Sequence, residues 1–273
     1  MIKINKEESL KLTTNLISIH VPTNNNELLK NAMKIINENK EINTLWKVVN
    51  VNALDRLGMT DHGPVHFQIV ANGALRILRI LIKNKIKMSI TKDFDLSVEH
   101  AELVIFLASL LHDTGMSINR EGHEEFSLFL TNNLLREIIN FMPIEEKTIV
   151  ISEVLNAIIN HRSGGRPTTI EGGIVRVADA LDMSQGRSRI PYMNGKINIH
   201  SISAIAIDKV EIKNGIKKPI QINIFMNNSA GIFQVDELLK SKLYDSGIEK
   251  FIELKAMITN KTEKKLIKEF IIE

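Results

Sequence analysis

The sequence predicts a mainly α-helical domain followed by a small α+β unit, and three observations carry that prediction. Apolar residues recur at helical spacing over roughly the first two thirds of the chain, up to about residue 183. Beyond residue 194 the pattern changes to short alternating runs that are typical of strands. At 273 residues the chain is long enough to bury a sizeable core. We therefore place a helical domain at 1–194 and an α+β unit at 195–273.

The first three helices have recognisable starts. Apolar spacing predicts one helix opening at Asn26 and a second running from about Asn43 towards Gly58. A third, long helix begins at Gly63 and Pro64, because proline suits the first turn of a helix.

The later helices enclose the most apolar segment of the chain. Ser97 is a suitable N-cap for a helix that ends at His112 and Asp113, and Gly115 is a suitable stop. Further helices are predicted at about 121–141, 144–161 and 170–183.

The α+β unit is predicted from alternation and from one turn signal. Asn214 and Gly215 stand between two alternating runs, as in a hairpin with a loop longer than two residues. The predicted strands lie at 197–202, 205–207, 210–212, 220–224 and 252–258, with a helix near 235–244.

Composition narrows the functional classes. Apolar residues make up 44% and charged residues 25% of the chain, as in ordinary soluble proteins. A net charge of +3, from 35 basic and 32 acidic residues, is too balanced for a protein that coats extended nucleic acid. The lack of cysteine excludes disulfides, thiolate metal sites and a cysteine nucleophile. With no signal-like start and no run of about 18 apolar residues, we expect a cytoplasmic protein without a membrane span.

A histidine and a carboxylate, His112 and Asp113, end the apolar helix side by side. Such a pair is costly to desolvate unless a cation binds it, and a metal is the simplest cation. Other candidate ligands lie on separate predicted helices, namely His66, His123, His161 and Asp179. Nitrogen and oxygen donors without sulfur suit Mn, Fe, Mg, Ni, Co or Zn.

Each candidate also has an alternative interpretation. His66 could be a surface or capping residue in a first turn, and His123 could belong to a solvated polar turn. An imidazolium at His161 is favoured by the dipole at a helix end, whatever the function. Asp179 could pair with Arg176, three residues earlier, although the small residues around it suggest a buried carboxylate.

Neighbouring polar residues allow alternative roles. Asp61 could cap a helix or orient a ligand imidazole, and His62 could face substrate or solvent. Asp182 competes with Asp179 as the acidic ligand. Arg187 and Arg189 could bind phosphate oxygens, for which paired guanidinium donors are suited, or could form a solvated basic loop.

Five short segments resemble the motifs of the HD superfamily of metal-dependent phosphohydrolases. They are Asp61–His66, Leu110–Gly115, Glu121–Glu125, Ile159–His161 and Val177–Leu181. The resemblance implies an HD-type helical domain. It also implies a core ligand set for one metal and two additional ligands for a second. The core set is His66, His112, Asp113 and Asp179, with Asp113 bridging, and the additional ligands are His123 and His161.

The resemblance further implies hydrolysis of a phosphoester by metal-activated water, with two divalent ions as cofactors. Met116 replaces the lysine of the HD-GYP pattern and no Gly-Tyr-Pro follows, so a standard cyclic-di-GMP phosphodiesterase is not expected. The expected substrate is a small phosphorylated or nucleotide-like molecule, and cyclic phosphates, including that of a pterin, are candidates. A non-catalytic nucleotide-binding regulatory or interaction protein is the alternative. The C-terminal sheet could also pair two chains into a homo-oligomer.

Overall fold

The computed structural model describes residues 17–183 and 199–259. In these ranges helices come first and a small sheet comes last, which confirms the predicted fold class. The α-helices are α1 (Glu27–Glu38), α2 (Lys40–Asn50), α3 (Pro64–Lys83), α4 (Ser89–Phe94), α5 (Val98–Leu111), α6 (His123–Ile138), α7 (Ile144–Asn160), α8 (Ile170–Ala180), α9 (Ile199–Ile205) and α10 (Lys240–Leu243). The predicted domain boundary after residue 194 lies outside the described residues and stays a prediction.

Helix α5 is the centre of the helical part. Every residue from His100 to Leu111 is buried, and the helix contacts α1, α3, α7 and α8. Its second half, Leu103–Leu111, is apolar on all sides apart from Ser109, and such a helix is stable only when surrounded. The polar residues that follow its last turn are therefore delivered into the protein interior.

Helix α3 packs against α5 and α8, and most of its buried residues are apolar. Judged by length and composition alone, α3 is the one helix among the described residues that could cross a membrane. Of that apolar window 56% is buried inside the protein, as expected for a core helix. The cytoplasmic location stays a prediction.

Side-chain caps mark several helix starts. The side chains of Asn26, Asn39 and Thr169 accept backbone N–H groups at the starts of α1, α2 and α8. Ser97 occupies the N-cap position of α5 as predicted, but its hydroxyl lies 2.9 Å from Nδ1 of His100 instead of capping the backbone.

The sheet contains β1 (Ile207–Asn214), β2 (Ile220–Met226) and β3 (Ile252–Ile258) in that order. The predicted hairpin is confirmed, since β1 pairs antiparallel with β2 across the turn at Gly215. Strand β3 adds to β2 in parallel. The π-helical turn Gln234–Leu239 and α10 lie between β2 and β3, and α10 contacts α8.

One local prediction was wrong, and one short helix was missed. The segment predicted as a strand at 197–202 forms helix α9 over Ile199–Ile205, as far as it is described. Isoleucines at 199, 202 and 205 also fit helical spacing, so a short run of alternating residues did not distinguish the two structures. The sequence interpretation also missed α4, which is only 6 residues long.

Candidate metal centre

Six side chains at the ends of five helices converge in the interior. They are His66 in the first turn of α3, His112 and Asp113 after α5, His123 at the start of α6, His161 after α7 and Asp179 in the last turn of α8. None is more than 8% exposed. The alternative interpretations of these residues as surface groups are therefore wrong.

A tight turn brings the end of α5 next to the start of α6. A Cβ atom on Gly115 would lie 2.0 Å from the carbonyl oxygen of His123, so only glycine allows this approach. The backbone N–H of Gly115 also donates to Oγ of Ser127 at 2.8 Å. The turn thus places His123 beside the pair His112 and Asp113.

The carboxylate of Asp113 lies between two pairs of imidazoles. Its Oδ2 is 3.4 Å from Nε2 of His112 and 3.7 Å from Nε2 of His66. Its Oδ1 is 3.1 Å from Nε2 of His123 and 3.4 Å from Nε2 of His161. Each oxygen therefore faces a different half of the cluster.

The carboxylate of Asp179 faces one half of the cluster only. Its Oδ1 is 3.3 Å from Nε2 of His66 and 3.8 Å from Nε2 of His112. Its Oδ2 forms an ion pair with Nζ of Lys242. The two oxygens of this residue thus have different partners.

Three of the imidazoles are oriented by acceptors outside the cluster. Nδ1 of His66, His112 and His161 lies within 3.0 Å of Oδ2 of Asp182, the carbonyl of Ser109 and the carbonyl of Ile158, respectively. An acceptor at each Nδ1 favours the Nδ1–H tautomer of the neutral ring, which leaves Nε2 available to bind a cation. Nε2 of His66 and Nε2 of His112 then face each other at 3.2 Å. Two ring nitrogens at this distance are stable when a cation, either a proton or a metal ion, lies between them.

Charges in the cluster favour a bound cation. Burial lowers the pKa of His112 to about 3, against the opposing effect of Asp113, so its imidazole is neutral. Burial raises the pKa of Asp113, but His112, His123 and His161 outweigh it and hold the pKa well below its usual range. Burial also raises the pKa of Asp179, but Lys242 and His66 outweigh this effect and hold the pKa well below its usual range. Both carboxylates are therefore ionised.

His123 differs from the other imidazoles. Burial lowers its pKa, but hydrogen bonds to Asp113 and Glu124 outweigh burial and raise the pKa to about 9. Its Nδ1 lies 3.1 Å from Oε2 of Glu124 and 3.0 Å from the carbonyl of Arg120. His123 is therefore cationic at neutral pH, and a metal bound there would replace its proton.

The described donors fit a divalent cation. Three groups have ligand atoms within 4.8 Å of one another: His66 with His112 and Asp179, His112 with Asp113 and His161, and His123 with Glu124 and His161. Imidazole and carboxylate donors without thiolate suit a first-row transition metal or magnesium.

A cavity of about 1020 Å³ opens over the cluster. Its wall includes His62 and side chains from both parts of the chain, with Gln234, Leu238 and Lys242 coming from the C-terminal part. Leu57 and Leu238 are 46% and 38% exposed and give the cavity apolar portions. The site is therefore shared between the helical part and the α+β unit.

The polar neighbours His62, Asp61 and Asp182 take distinct positions. Nδ1 of His62 lies 2.7 Å from the carbonyl of Thr60, and its ring centroid is 5.8 Å from that of His66. Asp61 accepts from the backbone N–H of Gly63 at 3.0 Å and so holds the turn before α3. Asp182 contacts the outer nitrogen of His66 rather than competing with Asp179 for the inner one.

Sequence reasoning missed Lys242, and the alternative pairing of Asp179 with Arg176 is wrong. The ion-pair partner of Asp179 is Lys242, 63 positions away, and Arg176 donates to backbone carbonyls instead. Only an observation of the folded chain could find such a distant partner. Arg187 and Arg189, predicted to bind phosphate, lie outside the described residues.

Comparison with known proteins places the chain in a family. The HD domain family matches residues 73–184, a range that contains every cluster residue except His66. The chain is 42% identical over 236 residues to "Uncharacterized protein MJ1020" of Methanocaldococcus jannaschii, covering 86% of this chain and 90% of that protein. No solved structure matches at a significant level. By these similarities, the chain belongs to the HD superfamily of metal-dependent phosphohydrolases.

Proposed function

We propose that this protein hydrolyses a phosphodiester or phosphomonoester of a small nucleotide-like molecule with the help of two divalent metal ions. The observation that carries the proposal is the convergence of four buried imidazoles on two ionised carboxylates, of which Asp179 also forms an ion pair with Lys242. Such a donor set has high affinity for a divalent cation.

The residues divide into two ligand sets. His66, His112 and Asp179 would hold one ion, and His123 and His161 would hold the other. Asp113 would bridge them, because its two oxygens already face the two halves of the cluster. When bound, the ions supply Lewis acidity towards the phosphoryl group and water.

Other residues of the cavity bind substrate and exchange protons. The ring of His62 keeps Nδ1 on a backbone carbonyl, so Nε2 would exchange a proton with water or with the leaving oxygen. The exposed apolar side chains of Leu57 and Leu238 suit the planar base of a nucleotide or a pterin, while the phosphate lies against the polar cluster. Hydrolysis then forms one bond from water oxygen to phosphorus and breaks one P–O ester bond.

The experiment compares two buried histidines of the same helical segment. Protein purified without chelators is analysed for metal and assayed with Mn²⁺ or Fe²⁺ against cyclic phosphates, dinucleotides, mononucleotides and bis(p-nitrophenyl) phosphate. We expect the His112→Gln variant to lose bound metal and its kcat/KM to fall at least about 100-fold. The reason is that several kcal/mol of charge stabilisation of the transition state disappear with the metal. His100→Gln is the matched control, since His100 is also buried on α5 but pairs with Glu146.

Two results would contradict the proposal. One is a His112→Gln variant that keeps both its metal and its activity. The other is a wild-type protein that binds metal and nucleotides without turning any of the phosphoesters over, which would favour a regulatory binding protein.

A further inference from the structure

We infer that Lys242 binds a phosphoryl oxygen of the substrate, so that the α+β unit completes the active site of the helical part. This inference rests on the proposed phosphohydrolase function and names a substrate-binding residue for it. The residue lies in α10, outside the segment matched by the HD domain family.

The ammonium group of Lys242 lies at the boundary between the cluster and the cavity. It contacts Oδ2 of Asp179, whereas Oδ1 of the same carboxylate faces His66 and His112. Lys242 also lines the cavity together with Asp113 and His123. A phosphate that reaches the cluster through this cavity would therefore pass within reach of the ammonium group.

The ammonium group has hydrogen-bonding capacity left for a ligand. A lysine ammonium offers three N–H donors. Within the described part of the chain, Nζ of Lys242 donates to the carboxylate of Asp179. The side chain is 19% exposed, so the remaining donors can face the cavity. Charge-assisted bonds from ammonium to phosphate are stronger in such a partly desolvated site than in water.

The backbone that carries Lys242 is fixed by Arg176. The guanidinium group of Arg176, which is 1% exposed, donates from Nε to the carbonyl of Lys242 at 2.7 Å and from Nη2 to that of Ser241 at 3.1 Å. Its Nη1 donates to the carbonyl of Asn160, next to His161, at 3.2 Å. Arg176 and Asp179 lie one turn apart on α8 and hold the main chain and the side chain of Lys242, respectively. The cation is thus preorganised relative to the metal ligands.

Other described cations of the cavity wall are less suited to this role. Arg120 is exposed and its Nη1 lies 2.8 Å from Nδ1 of His123. Arg162 is 45% exposed and pairs with Glu125 at 2.7 Å. Lys242 is more buried than either arginine, and of the three it is the one whose charged group pairs with a proposed carboxylate ligand.

The test uses the metal-loaded full chain with Lys242→Met, Lys242→Arg and the control Lys240→Met. Lys240 belongs to the same helix, is 66% exposed and pairs with Asp236. Metal content is measured by elemental analysis, inorganic phosphate binding by calorimetry, and KM and kcat with bis(p-nitrophenyl) phosphate. We expect Lys242→Met to keep its metal while phosphate affinity falls about 10- to 100-fold and KM rises. Lys242→Arg should recover part of the loss and Lys240→Met should match the wild type.

Wild-type phosphate affinity and KM in Lys242→Met would overturn the inference. Loss of metal in both Lys242 variants would also overturn it, because Lys242 would then serve only to hold Asp179. If phosphate binding depends on Lys242 but the wild type hydrolyses no phosphoester, the inference stands and the proposed hydrolytic function fails.

Discussion

At the scale of single residues, Asp182 sets the orientation of His66. Its Oδ2 lies 2.6 Å from Nδ1 of the imidazole, and the opposite nitrogen of that ring faces the cluster. A carboxylate in this position fixes the tautomer of a ligand histidine and strengthens its inner nitrogen as a donor. The residue is therefore a positioning group for the proposed metal centre.

Replacement of Asp182 by asparagine should weaken metal binding without abolishing it. We expect the affinity for Mn²⁺ to fall about 10- to 100-fold, because changes to groups that orient metal ligands have effects of this size. Calorimetric titration of the metal-free protein with Mn²⁺ measures this affinity. The control is Asp236→Asn, which changes an exposed carboxylate on the α+β unit. Equal affinity in wild type and Asp182→Asn would contradict the role given to Asp182.

The sequence predicts the six side chains that converge better than it predicts the groups that orient them. Donors such as His112 interrupt apolar helix ends, and that interruption is visible in the sequence. The contacts of Lys242 and Asp182 depend on packing between segments 63 and 116 positions apart. Local periodicity carries no information on such pairs, so only the folded structure assigns them.

At the scale of elements, the turn after α5 positions α6. A Cβ atom at residue 115 would meet two backbone atoms, the carbonyl oxygen of His123 at 2.0 Å and the nitrogen of Ser127 at 2.5 Å. Backbone atoms in a helix cannot give way as a flexible side chain does. The position of His123 therefore depends on the absence of a side chain at Gly115.

We expect Gly115→Ala to displace the start of α6. The free energy of unfolding should fall by about 1–3 kcal/mol, as for other overpacked sites, and metal content should fall with it. Urea unfolding and elemental analysis measure both quantities. Gly73→Ala is the control, because its Cβ would make only ordinary contacts at 3.7 Å or more. Unchanged stability and metal content in Gly115→Ala would refute the argument.

Helix α7 carries a carboxyl group that should make stability depend on pH. Burial, with Glu171 and Asp93 adding repulsion, raises the pKa of Glu153 from 4.5 to about 7. The folded state therefore favours the protonated form, and its stability falls as the pH rises from about 4.5 through 7. Above pH 7 Glu153 is ionised in the folded state as well, and the full cost of its buried charge to stability is present.

Replacement of Glu153 by glutamine should remove this penalty. We expect the variant to gain about 1 kcal/mol over wild type at pH 8, after allowance for solvent screening at a half-buried side chain, and little at pH 4. Urea unfolding at both pH values measures the difference, and Glu145→Gln at an exposed position of the same helix is the control. The same gain at both pH values would argue against titration as its cause.

Elements with strong start signals and full apolar faces are predictable from the sequence. Helices α3 and α5 begin at the predicted residues Pro64 and Val98, next to their predicted start signals. Short elements such as α4 and α9 are not predictable in this way, because a few apolar residues fit both helical and strand spacing. Tertiary contacts then decide which structure forms.

At the scale of the whole molecule, α8 joins the two parts of the chain. A Cβ atom on Gly173 would lie 2.1 Å from the carbonyl oxygen of Ser246, so the loop before β3 approaches the helix backbone directly. One turn later Arg176 bonds to the carbonyls of α10. The same helix carries Asp179, and disturbance of this interface should therefore reach the candidate metal centre.

We expect Gly173→Ala to separate the α+β unit from α8. Alanine favours a helix over glycine by about 1 kcal/mol, so any loss of stability would come from the interface and not from the helix itself. Thermal unfolding should show a lower midpoint than wild type, and phosphate affinity should fall as Lys242 moves. Gly73→Ala, which adds the same methyl group to α3, is again the control. A midpoint and a phosphate affinity equal to those of wild type would contradict this view of the interface.

The distance along the chain between His66 and Asp182, 116 positions, has a consequence for how the protein matures. The donors meet only after α3, α5, α6, α7 and α8 have closed around one another, so a nascent or partly folded chain offers an ion no comparable set of ligands. Capture of metal would then come last in folding, and the fraction of molecules carrying an ion would report how many have reached the native arrangement.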